Sequence, residues 1–181
     1  MKVVDTALSG VKLIEPRVFG DDRGFFLESW NSRTFTEAGL DLNFVQDNHS
    51  RSARHVLRGL HYQLDEPQGK LVRVTIGRVL DVAVDLRRSS PSFGRWAGFE
   101  LSADNKRMLW VPPGFAHGFI VVSESADFHY KCTTLYAPAD ERAIRWDDSD
   151  LAIDWQLDGA TPLISAKDAA AVSFASAETF A

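Results

Sequence analysis

A single cysteine, Cys132, stands in a chain of 181 residues, so no disulfide forms within the chain and no multi-cysteine metal site can be built from it. Such usage fits a reducing compartment. No stretch approaches the roughly 20 consecutive apolar residues that a bilayer-spanning helix needs. The N-terminal MKVVDTALSGVKLIEP breaks its apolar runs with charge and glycine, unlike the continuous apolar centre of a signal peptide. An excess of positive charge is missing too: 20 Lys and Arg against 25 Asp and Glu give a formal net charge of -5. That balance disfavours broad attraction to nucleic acid or to an anionic membrane. An anionic ligand would need a local cluster of cations. The reading is a cytoplasmic protein with neither nucleic acid nor membrane as a partner.

Familiar catalytic signatures are also absent. The chain has no Gly-x-Ser-x-Gly and no glycine-rich phosphate loop, which argues against a nucleophile-elbow hydrolase and against a nucleotide-hydrolase or dinucleotide fold. Cys132 lies in a strand-like run and reads as a small core residue rather than a thiolate. Pro112, Gly114 and His117 resemble the second sequence motif of the cupin superfamily, and His61 falls where the first would begin. Metal-binding cupins generally carry another histidine two residues on, and here that residue is Gln63, while Glu66 follows too closely. Two histidines without a third strong ligand make a poor transition-metal site. No metal and no cofactor is expected.

What is present describes a globular protein. Hydrophobic residues make up 45% and charged residues 25%, and the length suits one domain spanning residues 1–181. Val11 to Ile14 reads as a short strand, Gly20-Asp21-Asp22 as a turn, and Arg23 to Asn31 as a strand. Asn31 to Leu40 reads as a helix. Ser50 to His55 is polar and reads as a mobile loop. Period-2 alternation is cleanest from Lys70 onward: Val72, Val74 and Ile76 share one face, and Leu80, Val82, Val84 and Leu86 share the next. With Gly77-Arg78 between them, these runs predict an antiparallel hairpin with one buried side. Further strands are expected over Trp96 to Leu101, Met108 to Val111, Phe119 to Val122 and Phe128 to Tyr136. Short strands at regular spacing predict a mainly β fold, an antiparallel jelly-roll β-sandwich with short peripheral helices. One such helix opens the alanine-rich run from Ser165 to Ala177, where Ser165 followed by Asp168 resembles an N-terminal cap.

The densest chemistry lies in RGLHYQLDEPQGK, Arg58 to Lys70. His61 has the side-chain type whose unperturbed pKa lies near neutrality, and Arg58 and Lys70 can stabilise nearby negative charge. Proton abstraction beside a carbonyl needs a base, a group to hold the enolate oxygen, and an acid to return the proton. His61, Lys70 and Tyr130 have the types for those roles. The rival is a binding module whose pocket these side chains merely line. Arg58 and His61 have opposite strand parity, so both reach one pocket only if a bulge interrupts the strand, and Gly59 is the natural place for it. Elsewhere, Arg23 reads as an anion contact. Glu28 is either a solvated charge or a ligand acceptor. Gln46, Asp47 and Asn48 form either a turn or a base-reading or sugar-reading loop.

VLRGLHYQ, QGKLVRV, DVAVDLR with SPSFG, LSADNKRMLW, PPGFAHGF, YKCT, IRWDD and SAKD closely resemble the dTDP-4-dehydrorhamnose 3,5-epimerases over about Arg23 to Asp168. The resemblance implies a metal-free cupin-type jelly roll working as a homodimer. It implies inversion of carbons 3 and 5 of dTDP-4-dehydro-6-deoxy-D-glucose, with His61 as base oriented by Asp168, Lys70 on the enolate oxygen and Tyr130 as acid. Arg23, Glu28, Gln46, Asp47, Asn48, Arg58, His117, Glu141 and Lys167 are then the implied substrate-binding set. A relative that inverts one carbon of a related 4-keto-6-deoxy sugar nucleotide would share these residues.

Overall fold

Alternating runs become strands here, but the turns between them mostly carry the chain from one sheet to the other. A computed structural model describes Met1–Ala181. Its strands are β1 (Lys2–Asp5), β2 (Lys12–Glu15), β3 (Val18–Asp21), β4 (Gly24–Leu27), β5 (Gln46–Ala53), β6 (Leu57–Gln63), β7 (Lys70–Ile76), β8 (Arg78–Asp85), β9 (Trp96–Ser102), β10 (Met108–Val111), β11 (Phe115–Val121), β12 (Ser125–Cys132) and β13 (Glu141–Ala143). Two short helices, α1 (Ser32–Glu37) and α2 (Ala166–Ala169), lie at the periphery. No helix is long and apolar enough to cross a membrane.

A six-stranded sheet in the order β1-β2-β10-β7-β12-β5 packs against a five-stranded sheet in the order β13-β6-β11-β8-β9, with β3 and β4 apart as a hairpin. Val72, Val74, Leu109 and Phe128 of the larger sheet meet Val79, Ala83, Leu101 and Phe119 of the smaller one. The Phe119 and Phe128 rings stack with centroids 4.1 Å apart. A second apolar cluster covers the outer face of the smaller sheet, where Leu80, Val82, Val84 and Leu86 pack with Ile144, Leu151, Trp155 and Ala177. Residues 144 to 181 therefore wrap the sandwich and bury β8 on both faces.

Three sequence expectations are corrected. The hairpin from Lys70 to Leu86 does not form, because β7 pairs with β10 and β12 while β8 pairs with β9 and β11. Gly77, at φ 72°, is the corner where the chain changes sheets, and a Cβ there would lie 1.9 Å from the Ser125 carbonyl oxygen. Alternation reports which face is buried and not which strand lies alongside. Gln46 to Asn48 and most of Ser50 to His55 belong to β5, paired with β12 along its length, rather than to turns and loops. As an edge strand between solvent and a polar cavity, β5 carries no apolar alternation to betray it. The strand after the first turn ends at Leu27, well short of Asn31. The helix over Asn31 to Leu40 is present as the shorter α1, with the Asn31 side chain capping the Arg33 and Thr34 N–H groups.

Candidate active site

A cavity of about 400 Å³ opens between the sheets, lined from both. Its central strand is β6. Across β6 and β11, His61 pairs with His117 and Arg58 with Phe119, three steps on one strand against two on the other. That is a β-bulge, and it falls at Gly59, whose φ is 115°. A Cβ on Gly59 would lie 2.6 Å from Gly118 Cα and 2.7 Å from the His117 carbonyl oxygen, so the two glycines let the backbones approach. The bulge turns Arg58 and His61 to the same cavity, as the parity argument requires.

His61 Nε2 lies 2.5 Å from Asp168 Oδ1. Asp168 is buried at 3% exposure, and Ser165 both donates its Oγ–H to Asp168 Oδ2 at 2.8 Å and accepts the Asp168 N–H at 3.1 Å. The N-cap of α2, Ser165, thus also holds the carboxylate that meets the histidine. Burial alone would raise the Asp168 carboxyl, but the hydrogen bonds from His61 and Ser165 outweigh it and the net shift is downward. An ionised carboxylate is an acceptor only, so Nε2 carries the hydrogen and the lone pair sits on Nδ1. That nitrogen is the basic one.

Lys70 forms no ion pair, and burial pushes its ammonium down despite the negative groups near it. Arg58 donates to Ser52 Oγ at 3.2 Å and has no carboxylate partner. Two cations unpaired in one cavity make a place for negative charge. On β12, Tyr130 shares a face with Phe128 and Cys132, and burial raises its phenol, with smaller contributions from Cys132 and Glu141. It is a protonated acid at neutral pH. His117 Nε2 sits 2.9 and 3.0 Å from the two Asp81 oxygens. Asp81 is fully buried, which pushes its carboxyl up against the pull of His117. His117 is at once a core histidine and a cavity wall.

At the mouth, Glu141 Oε2 accepts the Tyr136 hydroxyl at 2.7 Å and the Lys167 ammonium. Gln46 Nε2 donates to Asn48 Oδ1 at 3.1 Å. Gln46, Asn48, Glu141 and Lys167 all line the cavity.

Three expected site residues lie outside it. Asp47 has the opposite parity on β5 and pairs with Lys131 at 2.7 Å on the outer face. Arg23 is in the β3–β4 turn, paired with Asp21, its side chain 90% exposed. Glu28 follows the end of β4 and accepts from Asn31 and Thr34, at 2.8 and 3.0 Å, fastening the start of α1. Sequence reasoning also overlooked Gln63, Gln68 and Tyr136, which line the cavity. Gln63 shares strand parity with His61 and was within reach of that argument; Gln68 and Tyr136 lie in irregular segments with no periodic signal. Cys132, although nearly fully buried, also borders the cavity.

A carboxylate-bonded histidine, a half-buried phenol and an unpaired ammonium around one cavity are the group types that proton transfer beside a carbonyl requires. A family model described as dTDP-4-dehydrorhamnose 3,5-epimerase matches residues 5–176. The dTDP-4-dehydrorhamnose 3,5-epimerase of Pseudomonas aeruginosa is 61% identical over 181 residues, covering 99% of each chain. The crystal structure of a Legionella pneumophila dTDP-6-deoxy-D-glucose-3,5-epimerase in complex with dTDP-4-keto-L-rhamnose superposes with a TM-score of 0.94 at 51% identity, covering 98% of this chain and 94% of that one. A 3'-monoepimerase from Streptomyces bikiniensis in complex with dTDP-quinovose gives 0.88 at 34% identity, covering 94% and 86%. The sandwich is therefore of the cupin-like kind, and the chain belongs to the dTDP-4-dehydrorhamnose 3,5-epimerase family of isomerases.

Proposed function

We propose that this chain inverts carbons 3 and 5 of dTDP-4-dehydro-6-deoxy-D-glucose to give dTDP-4-dehydro-L-rhamnose. Both carbons flank the 4-keto group, which acidifies their hydrogens by delocalising the resulting charge onto oxygen. His61 Nδ1 removes the proton, Lys70 holds the enolate oxygen, and Tyr130 returns a proton to the opposite face. Because the keto group is already in the substrate, the reaction asks for no metal or redox cofactor. Arg58 and Lys167 supply charge for the diphosphate, and Gln46, Asn48, His117 and Glu141 hydrogen-bonding groups for the rest. The observation that carries the reading is the 2.5 Å His61–Asp168 pair in one cavity with Lys70 and Tyr130.

Turnover of the 4-keto substrate in deuterated water tests it: solvent deuterium is expected at both carbons. Exchange at one carbon only would replace the reading with mono-epimerisation, which the similarity to the Streptomyces bikiniensis enzyme keeps as the second choice. The higher identity to the double epimerases favours the first. Substrate binding with no exchange at either carbon would leave a sugar-nucleotide binding module.

The working form is a cytoplasmic homodimer. Its motivation is the β3–β4 hairpin, where Phe19, Phe25 and Phe26 are 48%, 63% and 68% exposed, more apolar surface than a free hairpin favours. A second copy covering it gives Arg23 and Glu28 a place beside the partner's cavity, and with it their role in binding.

A further inference from the structure

The chemistry proposed above leaves two protons misplaced after each inversion. The carbon's proton is on His61 Nδ1, now an imidazolium, and Tyr130 is a phenolate. A second inversion by the same pair requires the imidazolium to lose its proton and the phenolate to regain one. On the Nε2 side the route is closed by Asp168, buried and bonded at 2.5 Å. On the other side, Nδ1 faces Glu141 Oε1 at 4.0 Å, a gap closed by a small side-chain movement or one bridging water. Strand pairing fixes this placement: β13 runs beside β6 with Ala143 opposite His61 and Glu141 opposite Gln63, on the cavity side. The Glu141 side chain is only 11% exposed, but its second oxygen meets Lys167, 52% exposed, and the hydroxyl of exposed Tyr136. Glu141 thus stands between the base and solvent.

We propose that Glu141 is the proton outlet of His61. The Nδ1–H bond of the imidazolium breaks, the proton passes to the Glu141 carboxylate directly or through one water, and the carboxyl releases it to solvent at the Lys167–Tyr136 edge. The Tyr130 phenolate takes its proton from solvent water, so charge and protons balance over each inversion. Burial opposes ionisation of Glu141, but the hydrogen bonds from Lys167 and Tyr136 prevail and keep the acceptor empty between turnovers. The inference rests on the epimerase reading and adds to Glu141 a task that substrate binding alone does not give it.

The test uses substrate deuterated at carbons 3 and 5, in ordinary water, and compares label lost from recovered substrate with product formed. In the wild-type protein the deuteron on His61 escapes through Glu141 before it can return, so recovered substrate loses label. In Glu141→Gln the deuteron returns to its own carbon. The ratio of label loss to product is expected to fall about 10-fold or more, with kcat reduced and KM little changed. Glu141→Asp, which keeps a carboxylate, is expected to recover part of the ratio, and thymidine diphosphate binding by calorimetry checks that both variants are folded. A raised KM with an unchanged label ratio overturns the relay and leaves Glu141 a substrate contact. Wild-type substrate that keeps its label while product forms likewise overturns the relay, whereas neither product nor label loss in the wild-type protein overturns the epimerase reading.

Discussion

Asp168 and Asp85 are both buried carboxylates held ionised by donors, yet one orients a histidine and the other a loop. Asp168→Asn keeps the shape but loses the negative charge and the acceptor-only character that fix the His61 hydrogen on Nε2, because an amide can turn its NH2 to the ring. The expected outcome is a kcat lower by about 100-fold or more at nearly unchanged KM, read from steady-state rates. Asp85 is buried, which alone would raise its carboxyl, but Arg87, Ser90 and Ser92 bring it down to about 2 from 3.8. A depressed carboxylate stabilises the fold above its unfolded pKa near 3.8 and loses that contribution as pH falls toward 2. Asp85→Asn is expected to cost up to about 2 kcal/mol at neutral pH, measured by urea unfolding, with the two proteins converging near pH 2. At this scale the sequence was legible where chemistry is rare. His61, Lys70 and Tyr130 are recognisable by type, whereas the burial of Asp81 and Asp85 reads as ordinary alternation until the covering segment is seen.

β6 shows how an element serves a site by being irregular. The Gly59 bulge follows from parity alone, since Arg58 and His61 could not otherwise face one cavity. What parity cannot reveal is the matching need at Gly118, where a Cβ would lie 2.7 Å from the Arg58 carbonyl oxygen. Gly59→Ala and Gly118→Ala are each expected to destabilise the fold by more than about 2 kcal/mol, with Gly59→Ala the worse because its φ is positive as well. Thermal unfolding of the two variants checks the order. The β7–β8 and β5 misreadings share one cause: local alternation encodes burial, while pairing partners are set by contacts far along the chain. Asp140 belongs to the same scale, since its carboxylate accepts the Leu64, Asp65 and Glu66 N–H groups at 2.8 to 3.2 Å and so shapes the loop that leads to Lys70.

For the whole molecule, the exposed β3–β4 hairpin is the surface to probe. Phe25→Asp with Phe26→Asp is expected to turn a dimer into a monomer in sedimentation velocity without unfolding it, because neither ring contributes to the core. If Arg23 and Glu28 act across the dimer, the same variant raises KM. A dimer that persists would move the interface elsewhere and remove the reason for placing those two residues at a site. Neither the hairpin's isolation nor the wrapping of β8 by residues 144 to 181 could be read from the sequence, since both are relations between segments rather than patterns within one.

The His61–Asp168 contact joins residues 107 positions apart, and the wrap that delivers Asp168 also seals the outer core. During synthesis His61 therefore emerges long before the carboxylate that orients it. A chain cut or halted between the two has the histidine but neither its carboxylate partner nor its covered sheet, so a truncated copy is expected to be silent rather than partly active.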